Sequence, residues 1–103
     1  MKFLRFTMMN TANISKVTQA SDKTMASPPQ GYKVLSIDAC LAMAFPGQPE
    51  DTIVSIAAIE AESAEVIAAT GYPLMLAGAT VWTVPVMEFP VAKTVEVEKK
   101  LRG

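Results

Sequence analysis

From Lys2 to Met9 the chain alternates, with Leu4, Phe6 and Met8 on one side and Phe3, Arg5, Thr7 and Met9 on the other, the period-two pattern of a strand. Asn10, Thr11 and Asn13 then offer side chains that cap a helix. Ile14, Val17, Ser21 and Met25 follow at roughly helical spacing among polar neighbours, a weakly amphipathic helix. Ser27-Pro28-Pro29-Gln30-Gly31 cannot continue it, because two prolines lack the donor and the first also restricts Ser27. Tyr32 to Phe45 predicts a second strand, setting Leu35, Ile37, Ala39, Leu41 and Met43 against Val34, Ser36, Asp38 and Cys40. Pro46-Gly47-Gln48-Pro49-Glu50-Asp51 then reads as a hairpin loop.

Thr52 to Ile59 is nearly continuous Ile, Val and Ala, which suits a strand in the middle of a sheet. Ser63 is a cap candidate for a second helix, and Glu60, Glu62 and Glu65 stand near its start, where the dipole favours carboxylates. Ala64, Ile67, Ala68 and Gly71 line one face. Gly71 is the expected stop, with Pro73 just beyond it and a further turn at Leu74-Met75-Leu76 before Gly78, so the helix is predicted in two parts. Thr80 to Glu88 forms the last strand, where Pro85 removes a ladder donor and predicts a sheet edge; Pro90 ends it. Residues 1–90 thus read as one domain and 91–103 as a charged tail or short helix. In that tail Glu96 with Lys100 and Glu98 with Arg102 at i,i+4 favour a helix, while the alternation of Thr94 to Glu98 favours a strand.

Strand, helix, strand, strand, helix, strand is the split βαβ order, an α+β ferredoxin-like βαββαβ fold with a four-stranded antiparallel sheet. The first and third strands are expected at the centre, the second and fourth at the edges. Right-handed crossovers place both helices on one face. The other face then lacks a cover, and the expected solution is a second copy of the chain meeting it in an isologous contact, a homodimer.

Composition refines this picture. Of 103 residues half are hydrophobic but only 7% aromatic, with seven methionines, so the interior is filled with small and adaptable side chains. A formal net charge of −1 gives no field for phosphate backbones or anionic lipid, so no nucleic-acid partner and no membrane are expected. Val66 to Met87 is uncharged and long enough to span a bilayer, yet Gly71, Pro73, Gly78 and Pro85 interrupt it and three threonines make it partly polar. One cysteine cannot form an internal disulfide and the first residues lack an apolar signal stretch, so the expected location is cytoplasmic.

The element order, the Pro28-Pro29-Gln30-Gly31 entry into the second strand and the Thr83-Val84-Pro85-Val86 strand resemble small dimeric α/β-barrel proteins, over about residues 1 to 90. Members of that superfamily include cofactor-free oxygenases, isomerases and ligand-sensing modules that use the space between two sheets. The resemblance therefore implies a paired barrel and a cavity inside it.

There is no histidine, which removes the commonest general base and metal ligand. No Cys-x-x-Cys, P-loop, Gly-x-Gly-x-x-Gly or basic-aromatic RNA-binding strand is present. The carboxylates Glu60, Glu62 and Glu65 read as dipole partners, so neither a metal nor a cofactor is expected. The candidate ligand-binding set is Arg5, Thr7, Asp38, Cys40 and Trp82, polar or bulky groups at otherwise apolar strand positions. Should Arg5 and Asp38 share the open face, Arg5 would bind a carboxylate at two points and Asp38 would act as a base; otherwise they form a structural ion pair or a dimer contact. Trp82 reads as a pocket wall or as interface, and Cys40 as a small buried hydrophobe. No catalytic residue is assigned. The function expected is a homodimeric module that binds a small apolar or acidic molecule, or an accessory module, rather than an enzyme. The alternative is a cofactor-free oxygenase or isomerase using Asp38 and Arg5.

Overall fold

The alternation at the start of the chain becomes the strand β1, Lys2–Asn10, in which Phe3, Arg5, Thr7 and Met9 are buried and Leu4, Phe6 and Met8 half-buried. The computed structural model describes residues 1–103. The Asn10 side chain accepts from the Ala12 N–H at 2.8 Å and starts a short 3-10 turn that runs into α1, Ile14–Ala26. β2, Tyr32–Ala39, and β3, Thr52–Ala61, follow; then α2, Ala64–Leu76, β4, Thr80–Pro85, and α3, Thr94–Arg102. The sheet is antiparallel in the order β2-β3-β1-β4, with both helices α1 and α2 over one face. This is the ferredoxin-like arrangement, and Pro85 ends an edge strand.

β3 runs two residues past its expected end to Ala61, and three boundaries differ from the sequence reading by three residues or more, each for a physical reason. β2 stops at Ala39 rather than Phe45, leaving Leu41 fully exposed and Met43 mostly so. The residues after it form a loop clamped by Gln48, whose amide oxygen accepts from the Ala44 N–H at 2.8 Å while its NH2 donates to the Thr52 carbonyl at 3.2 Å. The loop carries Phe45 onto the ring edge of Trp82. α2 does not stop at Gly71 but runs through Pro73 to Leu76. Gly71 is buried facing the Arg5 guanidinium and Val81 with room for a Cβ at ordinary contact distance, so nothing stops the helix there; Pro73 withholds one donor from the last turns, and Gly78, at φ +105, makes the turn out. β4 ends at Pro85 rather than Glu88, because its partner β1 begins at Lys2 and leaves little beyond that point to pair with.

β2 also holds a bulge between Val34 and Ser36. Strict alternation groups Val34 with Ser36 and Asp38; the extra residue instead sets Val34 with Ile37 and Ala39 on the helix side and turns Ser36 and Asp38 to the other. The tail forms the helix α3, with the expected Glu98 to Arg102 ion pair at 2.9 Å.

The interior is thin. Only 13 of the 103 residues are buried, seven of them in two apolar clusters: Met9, Val17, Leu74 and Ala79 at one end of β1, and Phe3, Ile59 and Ala61 at the other. Arg5 and Thr7 lie between them along the strand. The accessible surface is 7041 Å², against roughly 5,600 Å² for a compact monomer of this mass. The radius of gyration is 15.5 Å, where about 13 Å is usual for this length. No helix is long and apolar enough to cross a membrane.

Candidate functional site

Arg5 is the most unusual residue of the sheet, a central-strand cation only 3% exposed. Its Nη2 donates to the Ile67 carbonyl and to Thr70 Oγ1, both at 2.8 Å, its Nε to Thr83 Oγ1 at 3.4 Å and its Nη1 to the Tyr32 hydroxyl at 3.3 Å. Thr70 can accept because its own proton goes to the Val66 carbonyl one turn back on α2. Every partner is neutral. The ion pairs of the chain are Met1 with Glu60, Lys2 with Glu88 and Arg102 with Glu98, so no carboxylate lies within 4 Å of the guanidinium. Burial holds the Arg5 pKa below its ordinary value, opposed in part by the neighbouring Tyr32 hydroxyl.

Beside Arg5 a cavity of about 340 Å³ opens between α1 and the β2–β3 side of the sheet. It exists because α1 leans on α2 and the end of β1 and leaves that side of the sheet unfilled. Val17, Ser21 and Met25 line it from α1, Val34 and Ile37 from β2, and Leu74 from α2. The sheet contributes Arg5, Thr7, Ser55 and Tyr32, α2 contributes Thr70, and α1 adds Thr18, Asp22 and Thr24 to the polar part. Thr7 and Ser55 are register partners on neighbouring strands. Thr7 is 6% exposed and makes no side-chain hydrogen bond, yet no side-chain polar atom of the chain is both sealed and unpaired. Its hydroxyl therefore opens onto the cavity that it lines.

The five residues singled out by sequence divide between the two faces. Arg5 and Thr7 lie under the helices and line the cavity. Asp38 is in register with Ile56, and Ile56 with Phe6, which places it on the opposite, open face, where it is exposed. Arg5 and Asp38 therefore share neither a pocket nor an ion pair. Cys40 is half-buried just past the end of β2, its N–H donating to the Val54 carbonyl at 2.9 Å. Trp82 stacks on Phe6 across the open face, ring centroids 5.4 Å apart and 8° from parallel. Three to four carboxylates or thiolates do not gather anywhere as a metal set.

Tyr32, Ser55 and Thr70 belong to the cavity and were not singled out by sequence. Thr70 carried a readable signal, a hydroxyl on the apolar face of a helix otherwise rich in Ala and Leu. Tyr32 and Ser55 reach the cavity only through strand register, which single residues do not announce.

No protein-family model matches the chain. No curated protein matches it either. Among solved structures it is similar to a DUF3240 family protein from Shewanella baltica OS155, at 10% sequence identity and a TM-score of 0.49, over 89% of this chain and 97% of that one.

Proposed function

We propose that this chain works as a homodimeric binding module that takes a small molecule into the cavity between α1 and the sheet, with no chemical step of its own. The observation that carries the reading is the cavity itself: about 340 Å³, at the lower end of the range for small-molecule sites, mostly apolar with a few convergent polar groups. It lies on the helix side of the sheet rather than between two sheets.

The dimer rests on the opposite face. Leu4, Phe6, Ile56 and Ala58 are only half-buried there, and Trp82 and Val84 are exposed by 36% and 41%. The resemblance to dimeric α/β-barrel proteins leads to the same pairing. Cys40, a single thiol without a partner, suits a cytoplasmic setting. The oxygenase or isomerase alternative needs Arg5 and Asp38 in one chamber, and no observation favours it now that a sheet separates them.

Native mass spectrometry tests both halves. The expected result is a dimer at micromolar concentration that Trp82→Lys converts to monomer, with a co-purified small molecule that Ser21→Phe, which fills the cavity from α1, removes. A wild-type monomer refutes the dimer; a co-purified molecule retained at full occupancy by Ser21→Phe refutes the cavity as its site.

A further inference from the structure

Buried charges in proteins are normally paired with an opposite charge, because neutral dipoles replace only part of the lost hydration. Arg5 breaks that rule at the centre of the sheet. Its guanidinium has five N–H groups, and the protein engages four of them, two on Nη2 and one each on Nε and Nη1. One Nη1 N–H has no acceptor.

The groups next to it are in the same condition. The Tyr32 oxygen accepts from Arg5, but its own proton has no acceptor in the chain. Thr7, 6% exposed, has no side-chain partner, and Ser55 beside it has none either. All four residues line the cavity. The one carboxylate on its wall is Asp22, which is exposed on α1 and makes no ion pair with Arg5. The inner end of the cavity thus presents a cation and several free donors, and the protein supplies no anion to meet them.

We infer that the cavity takes a small anion with an apolar body: its carboxylate or equivalent group meets Arg5 Nη1, the Tyr32 hydroxyl and Thr7, and its body lies along Val17, Met25, Val34 and Ile37. The inference rests on the reading that the cavity is a ligand site and adds the class of ligand. Size follows from volume. At about 340 Å³ the cavity is at the small end of ligand sites, so it suits a molecule smaller than a drug-sized ligand. A medium-chain monocarboxylate or an arylalkanoate has these dimensions. A dianion is less suited, since Arg5 supplies one charge.

The test uses octanoate and its neutral isostere octanamide as probes, titrated into the full-length protein by calorimetry. Octanoate should bind at least about tenfold more tightly than octanamide, as expected when a charge-assisted hydrogen bond replaces a neutral one. In Arg5→Met, checked for folding by circular dichroism, that preference should disappear, while Ser21→Phe should abolish binding of both. Equal binding of the two probes to wild type, or an acid preference that survives in folded Arg5→Met, overturns the inference and leaves the cavity as a site for neutral ligands. Binding of neither probe overturns the inference and the cavity reading together. If Arg5→Met fails to fold, the wild-type comparison and its loss in Ser21→Phe decide the question.

Discussion

The sheet face beneath α1 and α2 carries Arg5, Thr7, Ser55 and Tyr32 among its aliphatic residues, whereas the face without helices carries Leu4, Phe6, Ile56, Ala58, Trp82 and Val84. The covered face thus holds a buried cation, while the open face, which also carries Ser36 and Asp38, keeps several large apolar side chains in view of solvent. Under the helices, hydrogen bonds to α2 and the presence of a cavity make a cation tolerable. On the open face the loop 40–51 covers one end, where Val54 is 1% exposed, and stops short of Val84 at 41%. The chain's own helices therefore cover one side of the sheet, and its loop covers only part of the other.

Ile59 and Ile56 are three residues apart on β3 and stand on opposite faces, so truncating each gives the sharpest contrast. Ile59→Ala, at a site with no exposure, should cost about 3–4 kcal/mol in urea unfolding at any protein concentration. Ile56→Ala should cost about 1–2 kcal/mol, with a loss that changes with protein concentration as dimerisation requires. Equal losses independent of concentration would erase the difference between the faces. Gln48→Ala, which releases the loop from Ala44 and Thr52, should cost about 1–2 kcal/mol and leave Trp82 more exposed to acrylamide quenching. Arg5→Met tests the other side: with the desolvated charge replaced by an apolar chain, thermal unfolding without ligand should stay the same or rise by about 1 kcal/mol. A loss above about 3 kcal/mol would show that the four hydrogen bonds outweigh the desolvation. The smallest effect is expected for Gly71→Ala. A Cβ there meets Arg5 and Val81 at 3.5–3.7 Å, ordinary contact, so helix propensity should add roughly 0.5–1 kcal/mol, read as a higher Tm.

The order and pairing of the elements were legible because several local signals agreed. β3 is the most continuously apolar strand, Pro85 suits only an edge, and Ser63 caps α2 with its hydroxyl accepting from the Val66 N–H. Strand ends were less legible, because Leu41 and Met43 look like strand residues and only the Gln48 clamp turns them outward. The site was half legible. Arg5 stood out as a charge among strand residues, but alternation gives two faces without saying which one the helices cover. The bulge at Leu35 then broke the alternation of β2, and no side chain there announces it. Gly71 misled for a related reason: a glycine that ends a helix and one that lies inside it look alike in sequence.

Trp82 is the only tryptophan of the chain, and it lies on the open face between Phe6 and Phe45, with the thickness of the sheet between it and the cavity. The protein therefore carries its own optical probe of one face. Its emission should move to the blue when the open face is covered and stay nearly constant when the cavity fills, so a single fluorescence titration separates assembly from ligand uptake without any label.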